Sequence, residues 1–150
     1  MALSSLRTRA ERLLSRAGAS SGILMYHRVA EETHDPWDLC VSPRTFAEQM
    51  AALAKLAECV DLLELGRPEL ARRSDRVRIA LTFDDGYRDN LSQALPILER
   101  HRIPATVFIV SGAIGRGREF WWDALERCLL RPKSLPERLE LDVAGLSGEW

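Results

Sequence analysis

Three short apolar runs predict the strands of this chain. They occupy residues 22–27, 77–83 and 103–110, and glycine, proline or polar residues bound each of them. None of the three alternates between apolar and polar positions, as a strand with one solvated face would. This pattern predicts strands that are buried on both faces, as in a parallel sheet covered by helices.

A helix is predicted after Ser42, which is a favoured N-cap residue, and Pro43 suits the first helical position. Apolar residues then recur at steps of three or four, which places them on one face of the helix. They are Phe46, Met50, Leu53, Leu56 and Val60.

Two further helices are predicted, over 91–98 and 120–130. Pro96 lies inside the first of these patterns, so we expect a kink or a restart there. Residues 60–65 end before a glycine, and we interpret them as a further short strand. Residues 72–78 are basic and are expected to form a loop, and the residues from Arg131 onward show little pattern.

The alternation of apolar strands with helices predicts an α/β fold with a parallel sheet. A closed barrel and an open doubly wound sheet both fit the pattern. In either architecture, functional groups gather at the carboxyl ends of the strands.

Composition and charge narrow the range of partners. The 150 residues include 21 Lys and Arg against 22 Asp and Glu, so the net charge of −1 gives no electrostatic reason to expect nucleic acid or an anionic membrane as partner. The three cysteines are far apart and fit neither a disulfide framework nor a zinc knuckle. We expect them to be free thiols.

Residues 1–20 are arginine-rich and are interpreted as a lead-in to one domain over 21–150. They lack the apolar core of a secretory signal, and no stretch of the sequence approaches the roughly 18 apolar residues of a membrane span. The expectation from this pattern is a cytoplasmic protein without a transmembrane segment.

Residues that could take part in catalysis follow the predicted strands. Asp84, Asp85 and Gly86 follow the strand over 77–83, His27 ends the first strand, and Ser111 follows the third. A metal-dependent hydrolase needs one group that holds the cation and another that accepts a proton, and two adjacent carboxylates could divide these tasks. The alternative is structural, because aspartate is common at helix N-caps and Asp-Gly at turns.

The residues from Thr82 to Tyr87 resemble the first motif of the polysaccharide deacetylases, also called carbohydrate esterase family 4 or the NodB homology domain. Further segments resemble that family's exopolysaccharide-type members in the same order and spacing. They are residues 24–29, the helix positions Phe46, Gln49, Met50 and Leu53, residues 94–98, residues 104–108 and residues 120–123. Together these segments resemble the N-terminal part of the domain.

This resemblance implies a partial, distorted (β/α) barrel and a hydrolase that removes N-acetyl groups from amino sugars of a polysaccharide. Carried over by position, it makes Asp84 the general base and Asp85 a ligand of a divalent metal, with zinc favoured over cobalt or nickel. His27 would lie beside the site, where it orients Asp84 or contacts substrate. A structural histidine at a strand end is the alternative.

The sequence also departs from the family pattern. The family's second motif is a histidine pair spaced H-x-x-x-H that completes the metal site, and no two of the three histidines have that spacing. Because sites of this kind need three protein ligands, we expect an incomplete metal site and a chain that is a truncated form. The alternatives are a non-catalytic remnant or carbohydrate-binding module, and an α/β phosphohydrolase that binds Mg²⁺.

Some residues admit a second interpretation. His34 and His101 match no family position and are interpreted as surface residues. Trp121 and Trp122 could stack on a sugar ring, although packing against other parts of the chain explains them as well.

Overall fold

The computed structural model describes residues 21–67, 76–135, 137–138, 140–143 and 146–149. The proposed lead-in over 1–20 and most of the basic segment over 72–78 lie outside the described residues. The chain divides into two compact units, of which the first ends at Ser111 and the second comprises Gly112–Trp150.

The first unit carries a parallel sheet and its helices. In chain order its elements are β1 (Ser21–Tyr26), β2 (Arg28–Val29), β3 (Cys40–Val41), α1 (Pro43–Leu56), β4 (Glu58–Cys59), α2 (Leu62–Leu65), β5 (Arg78–Phe83), a π-helical turn (Asn90–Ala94), α3 (Leu95–His101) and β6 (Ala105–Val107).

The sheet is organised around β5, whose six residues are all buried. On one edge, β5 pairs with β1 along its whole length, from Ser21 opposite Arg78 to Tyr26 opposite Phe83. The other edge is shared by β4, which pairs with the start of β5, and β6, which pairs with its end. Every pairing in this sheet is parallel, so the predicted α/β class and the central position of the strand over 77–83 are confirmed.

Burial of the first strand on both faces is contradicted. Ile23 and Met25 of β1 are 56% and 60% exposed. The reason is the location of β1 in the sheet. Within the described residues it pairs with β5 alone and is an edge strand, so its side chains have fewer neighbours than those of the central strand.

The third strand is shorter than the predicted 103–110, and its predicted burial on both faces is contradicted, since Val107 is 46% exposed. Phe108 still donates a backbone hydrogen bond to the Phe83 carbonyl oxygen at 2.7 Å, but β5 ends at that residue. Because the chain beyond Phe83 turns away, the residues after Phe108 have no strand to continue the ladder, and Ile109 is 60% exposed.

Helix α1 begins as predicted. The Ser42 side chain accepts a hydrogen bond from the Thr45 backbone N–H at 3.1 Å, and Pro43 occupies the first turn. The apolar face of α1 places Phe46 and Met50 in the core with no exposed surface. The N-cap and the helical spacing therefore identify the helix and the side it buries, but α1 ends at Leu56, and Val60, which was assigned to the same face, lies beyond β4.

The restart expected at Pro96 is also confirmed. Pro96 lacks the N–H that a continuous helix would use, and it lies in the first turn of α3. Immediately before it, the Leu95 N–H donates to the Asn90 carbonyl across a wider π-helical turn. Such turns let a helix continue past a residue that cannot donate.

The prediction of a strand over 60–65 is wrong. The strand β4 ends at Cys59, and residues 62–65 form the short helix α2. Asp61 explains the difference, because its Oδ1 accepts a hydrogen bond from the Leu63 N–H at 2.8 Å and caps that helix.

The second unit contains a 3₁₀ turn, a helix and a hairpin. Residues 121–130 form α4 (Trp121–Leu125) followed by a π-helical turn (Glu126–Leu130), close to the predicted 120–130. The hairpin of β7 (Glu140–Val143) and β8 (Leu146–Glu149) is antiparallel and was not predicted, since we saw little pattern there. Within the described ranges of both units, no helix has the length and apolar character that crossing a bilayer requires.

An aromatic cluster joins the sheet to α1. The ring of Phe46 meets Tyr26 edge-on at 5.1 Å and Phe83 at 5.9 Å, and Tyr26 stacks on Phe83 at 5.6 Å between centroids. Phe46 and Phe83 have almost no exposed surface. The cluster therefore fixes α1 against the two strands that carry the predicted site residues.

We predict that Phe46→Ala lowers the free energy of unfolding by about 3–5 kcal/mol, because it removes a buried ring and leaves a cavity. Urea unfolding followed by circular dichroism measures the change. The matched control is Leu63→Ala, whose side chain is 78% exposed and whose loss should change stability by less than about 0.5 kcal/mol. Equal effects of the two substitutions would contradict this description of the core.

Candidate functional site

The ends of β1 and β5 bring the predicted site residues to one edge of the sheet. The Asp84 backbone N–H donates to the Tyr26 carbonyl oxygen at 2.9 Å, which extends the parallel pairing one step beyond β5. His27 and Asp84 are thus the first residues after two strands that run side by side. His27, Asp84 and Asp85 are all half-buried. The acid pair lies at the carboxyl edge of β5, which confirms its predicted position.

A tight turn follows Asp84. Asp85 and Gly86 both adopt the left-handed conformation, with φ of 67° and 70°, and the Gly86 N–H donates to the Asp84 carbonyl at 2.8 Å. Aspartate tolerates this region better than most residues, and glycine enters it without strain. Two successive left-handed residues reverse the chain immediately beyond the strand.

Gly86 is required for space as well as for conformation. A Cβ atom at this position would lie 2.7 Å from the Ile109 Cγ2 and 3.5 Å from the Ile109 Cα. The turn therefore packs closely against the segment that follows β6.

The acid pair does not cap the helix that follows it. That helix begins at Arg88, and among the described residues neither Asp84 nor Asp85 accepts a hydrogen bond from its first turn. The helix-cap part of the structural alternative for the Asp-Asp-Gly sequence is therefore not supported, whereas its turn part agrees with the left-handed Asp85 and Gly86. Both carboxylates remain available for other contacts.

Asp89 is a residue of the site region that sequence reasoning missed. Its Oδ2 accepts a hydrogen bond from the Arg28 Nε at 3.0 Å, and its Oδ1 accepts one from the Val29 backbone N–H at 3.0 Å. The Arg28 guanidinium also lies over the Tyr87 ring, 4.7 Å from its centroid. These contacts connect residues directly after His27 with residues directly after the acid pair.

The electrostatics of Arg28 reflect this contact. Burial would lower the pKa of Arg28, but the hydrogen bond and the negative charge of Asp89 outweigh it, so that the pKa is raised. Arg28 therefore stays charged. A sequence signal did exist, since oppositely charged residues follow both strand ends, but their separation of 61 positions hides the pairing.

Tyr26 lies directly before His27 in the core and anchors the end of β1. Its hydroxyl donates to the Gln49 Oε1 at 3.0 Å, and burial raises its pKa to about 12. The phenol is therefore neutral at ordinary pH. It serves as packing and as a hydrogen-bond donor rather than as an acid of the site.

Comparisons with known proteins agree with this geometry. The sequence model of the family described as polysaccharide deacetylase matches residues 71–134, which include the acid pair. YxkH of Bacillus subtilis (strain 168), named for a proposed polysaccharide deacetylase activity, is 43% identical over 37 residues. That alignment covers 25% of this chain and 13% of YxkH.

Solved structures give the same result over more of the chain. IcaB from Ammonifex degensii superposes with a TM-score of 0.56 and 29% identity, covering 66% of this chain and 42% of IcaB. The polysaccharide deacetylase BC0361 from Bacillus cereus gives a TM-score of 0.55 at 24% identity, covering 65% of this chain and 31% of that protein, and supports the fold alone.

This chain is similar to the polysaccharide deacetylases: residues 71–134 match the family model, and 66% of the chain superposes on IcaB. Its fold is the corresponding part of a NodB-type α/β barrel with parallel strands. The chain spans less than half the length of the relatives that it matches.

The metal centre expected from the polysaccharide deacetylase family is incomplete in the part of the chain that the structure describes. No group of three His, Cys, Asp or Glu side chains there could hold a metal ion. His34 is exposed and His101 is half-buried at the end of α3. The described donor atoms therefore do not make up a full ligand set for a tightly held cation.

The cysteines do not compensate for the missing ligands. All three are free thiols, as expected. Burial raises the pKa of Cys40 to about 11 and also raises the pKa of Cys59. A thiol with a raised pKa is a poor source of the thiolate that metals bind.

The aromatic residues of the second unit form a cluster of their own. Phe120 stacks on Trp122 with ring centroids 4.6 Å apart, and Trp121 meets Trp122 edge-on at 5.5 Å. Trp121 is 71% exposed. The cluster explains the packing of Trp122, whereas most of the Trp121 side chain contacts solvent.

We predict that Gly86→Ala destabilises the fold by about 1–3 kcal/mol, because alanine is strained at this φ and its Cβ overlaps Ile109. Thermal unfolding measures the loss. Gly115→Ala is the matched control, since its φ of 73° is similar but nothing lies within 4 Å of the added Cβ. If both variants lose the same stability, the contact with Ile109 contributes nothing.

Proposed function

We propose that this chain is the N-terminal part of a metal-dependent hydrolase that removes N-acetyl groups from amino sugars of a polysaccharide. The observation that carries the proposal is the position of Asp84 and Asp85. They occupy a tight turn at the carboxyl end of the most buried strand, beside His27, within a segment that matches the polysaccharide deacetylases.

Asp84, Asp85 and His27 each have a separate role in this proposal. Asp84 is the proton acceptor, and Asp85 offers one carboxylate oxygen to a divalent cation, for which zinc is favoured. His27 lies at the neighbouring strand end, where it orients Asp84 or contacts the sugar. The half-buried position of all three suits residues that must meet a substrate.

The remaining ligands are proposed to come from polypeptide outside the described residues. Two features support this part of the proposal. The chain spans 42% of the Ammonifex degensii IcaB structure. In addition, apolar side chains of the edge strand β1, Ile23 and Met25, are exposed where a complete barrel would cover them.

A second candidate function is a folded remnant that binds carbohydrate without catalysis. The observation that favours it is the lack of a three-ligand cluster among the described side chains. The two candidates differ in one measurable respect. A part of an enzyme gains activity when the missing ligands are restored, whereas a remnant does not.

We predict that the chain alone releases no detectable acetate from N-acetylated chito-oligosaccharide with added zinc or cobalt, because its ligand set is incomplete. A fusion to the remaining portion of the Ammonifex degensii IcaB domain should release acetate. The control is the same fusion carrying Asp84→Asn. Turnover by the unfused chain would mean that its ligands lie elsewhere, and a folded, zinc-loaded but inactive fusion would favour the remnant.

In the active fusion we predict separable roles for the two aspartates. Asp85→Asn should weaken zinc affinity and lower activity as a consequence. Asp84→Asn should bind zinc normally but lose about 10²–10⁴ in rate, which excess zinc does not restore. His27→Ala should show an intermediate loss and an altered pH–rate profile. Zinc stoichiometry measured beside the rate tests each assignment, and loss of zinc in Asp84→Asn but not in Asp85→Asn would reverse the two roles.

A further inference from the structure

The backbone on either side of His27 is held by two hydrogen bonds that come from the segment after β5. Before His27, the Tyr26 carbonyl accepts from the Asp84 N–H at 2.9 Å. After His27, the Val29 N–H donates to the Asp89 Oδ1 at 3.0 Å. The first of these bonds is part of the strand pairing, but the second depends on a single side chain.

The Val29 N–H needs the Asp89 carboxylate as its acceptor because this N–H points away from β3. On the edge of β2 that faces β3, the Arg28 N–H donates to the Leu39 carbonyl and the Ala30 N–H donates to the Val41 carbonyl. Successive N–H groups of a strand point to opposite edges, so the Val29 N–H faces away from β3. Asp89 supplies an acceptor there, in the position that the carbonyl of a neighbouring strand would take.

Burial makes this acceptor necessary. Val29 has no exposed surface, and a buried N–H without an acceptor is strongly disfavoured. The Asp89 side chain is only 13% exposed, and its second oxygen is occupied by Arg28. The carboxylate is therefore fixed in place by one charged and one backbone partner.

We propose that Asp89 is a positioning residue that holds the backbone of residues 27–29 against the Asp84–Gly86 turn, so that His27 keeps its place beside the acid pair. The essential contact is the bond to the Val29 N–H, and the pairing with Arg28 serves to orient the carboxylate. That His27 acts in a deacetylase site rests on the proposed function. The positioning itself does not require activity.

Two substitutions separate the backbone contact from the charge. Asp89→Asn has the same shape and keeps an oxygen that can accept from Val29, but it lacks the negative charge. Asp89→Ala removes both contacts. Two-dimensional NMR of the chain without metal or substrate, at one fixed pH, gives the hydrogen-exchange rate of the Val29 amide and the imidazole signals of His27.

In Asp89→Ala we expect the Val29 amide to exchange at least about tenfold faster, and the His27 imidazole signals to shift or broaden. In Asp89→Asn both should remain close to those of the unmodified chain. Met50→Ala is the control for general destabilisation, because it removes a fully buried side chain of α1 and should leave His27 unchanged.

Two results would overturn the proposal. If the Val29 amide loses its protection in Asp89→Ala while the His27 signals stay in place, Asp89 is structural and does not position His27. If Asp89→Asn disturbs His27 as strongly as Asp89→Ala, the charge pair with Arg28 is the essential contact.

The active fusion provides a separate readout. Asp89→Ala should lower kcat and alter the pH–rate profile, and Asp89→Asn should restore both to a large extent. A folded, zinc-loaded but inactive fusion would refute the proposed function and leave the NMR result on positioning intact. An active fusion whose kcat and pH–rate profile are unchanged by Asp89→Ala would refute the positioning of His27 alone.

Discussion

The burial of β5 is the constraint on which the rest of the first unit depends. All six residues of this strand are buried, and neighbours pair with it on both edges. A strand in this environment has one stable register, because a shift of one residue would exchange its two faces. The end of the strand is thereby fixed, and so is the point at which Asp84 and Asp85 leave the sheet.

The chemistry of the candidate site follows from how two strand ends are joined. β1 and β5 finish side by side, and their ends are linked again beyond the sheet by Asp89. A turn with two left-handed residues then keeps the acid pair close to the sheet. Local backbone geometry places these residues near one another.

The sequence predicted those parts of the fold that depend on local signals. The spacing of α1, its Ser42 cap and the break at Pro96 each involve residues within one or two helical turns, and the structure has all three. The acid pair was located because it directly follows the apolar run over 77–83. Interactions between residues that are close in sequence are enough to predict such features. A family motif made of consecutive residues can be recognised from the sequence in the same way.

The errors arose where a distant or competing contact decides the outcome. We predicted a strand over 60–65, but the Asp61 cap makes residues 62–65 a helix. The exposure of β1 depends on which strands surround it, which no local pattern contains. Asp89 was missed for the same reason, since its partners are about 60 positions away.

The unpaired edge of β1 has a consequence for concentrated solutions of the protein. The strand contains no charged residue and no proline, and among the described strands it has β5 as its one neighbour. Natural edge strands are usually protected by such residues, because an unprotected edge can pair with the edge of another molecule. Self-association through β1 would therefore compete with solubility, and a lysine in place of the exposed Ile23, nearer the middle of the strand, would act as a gatekeeper away from its carboxyl end.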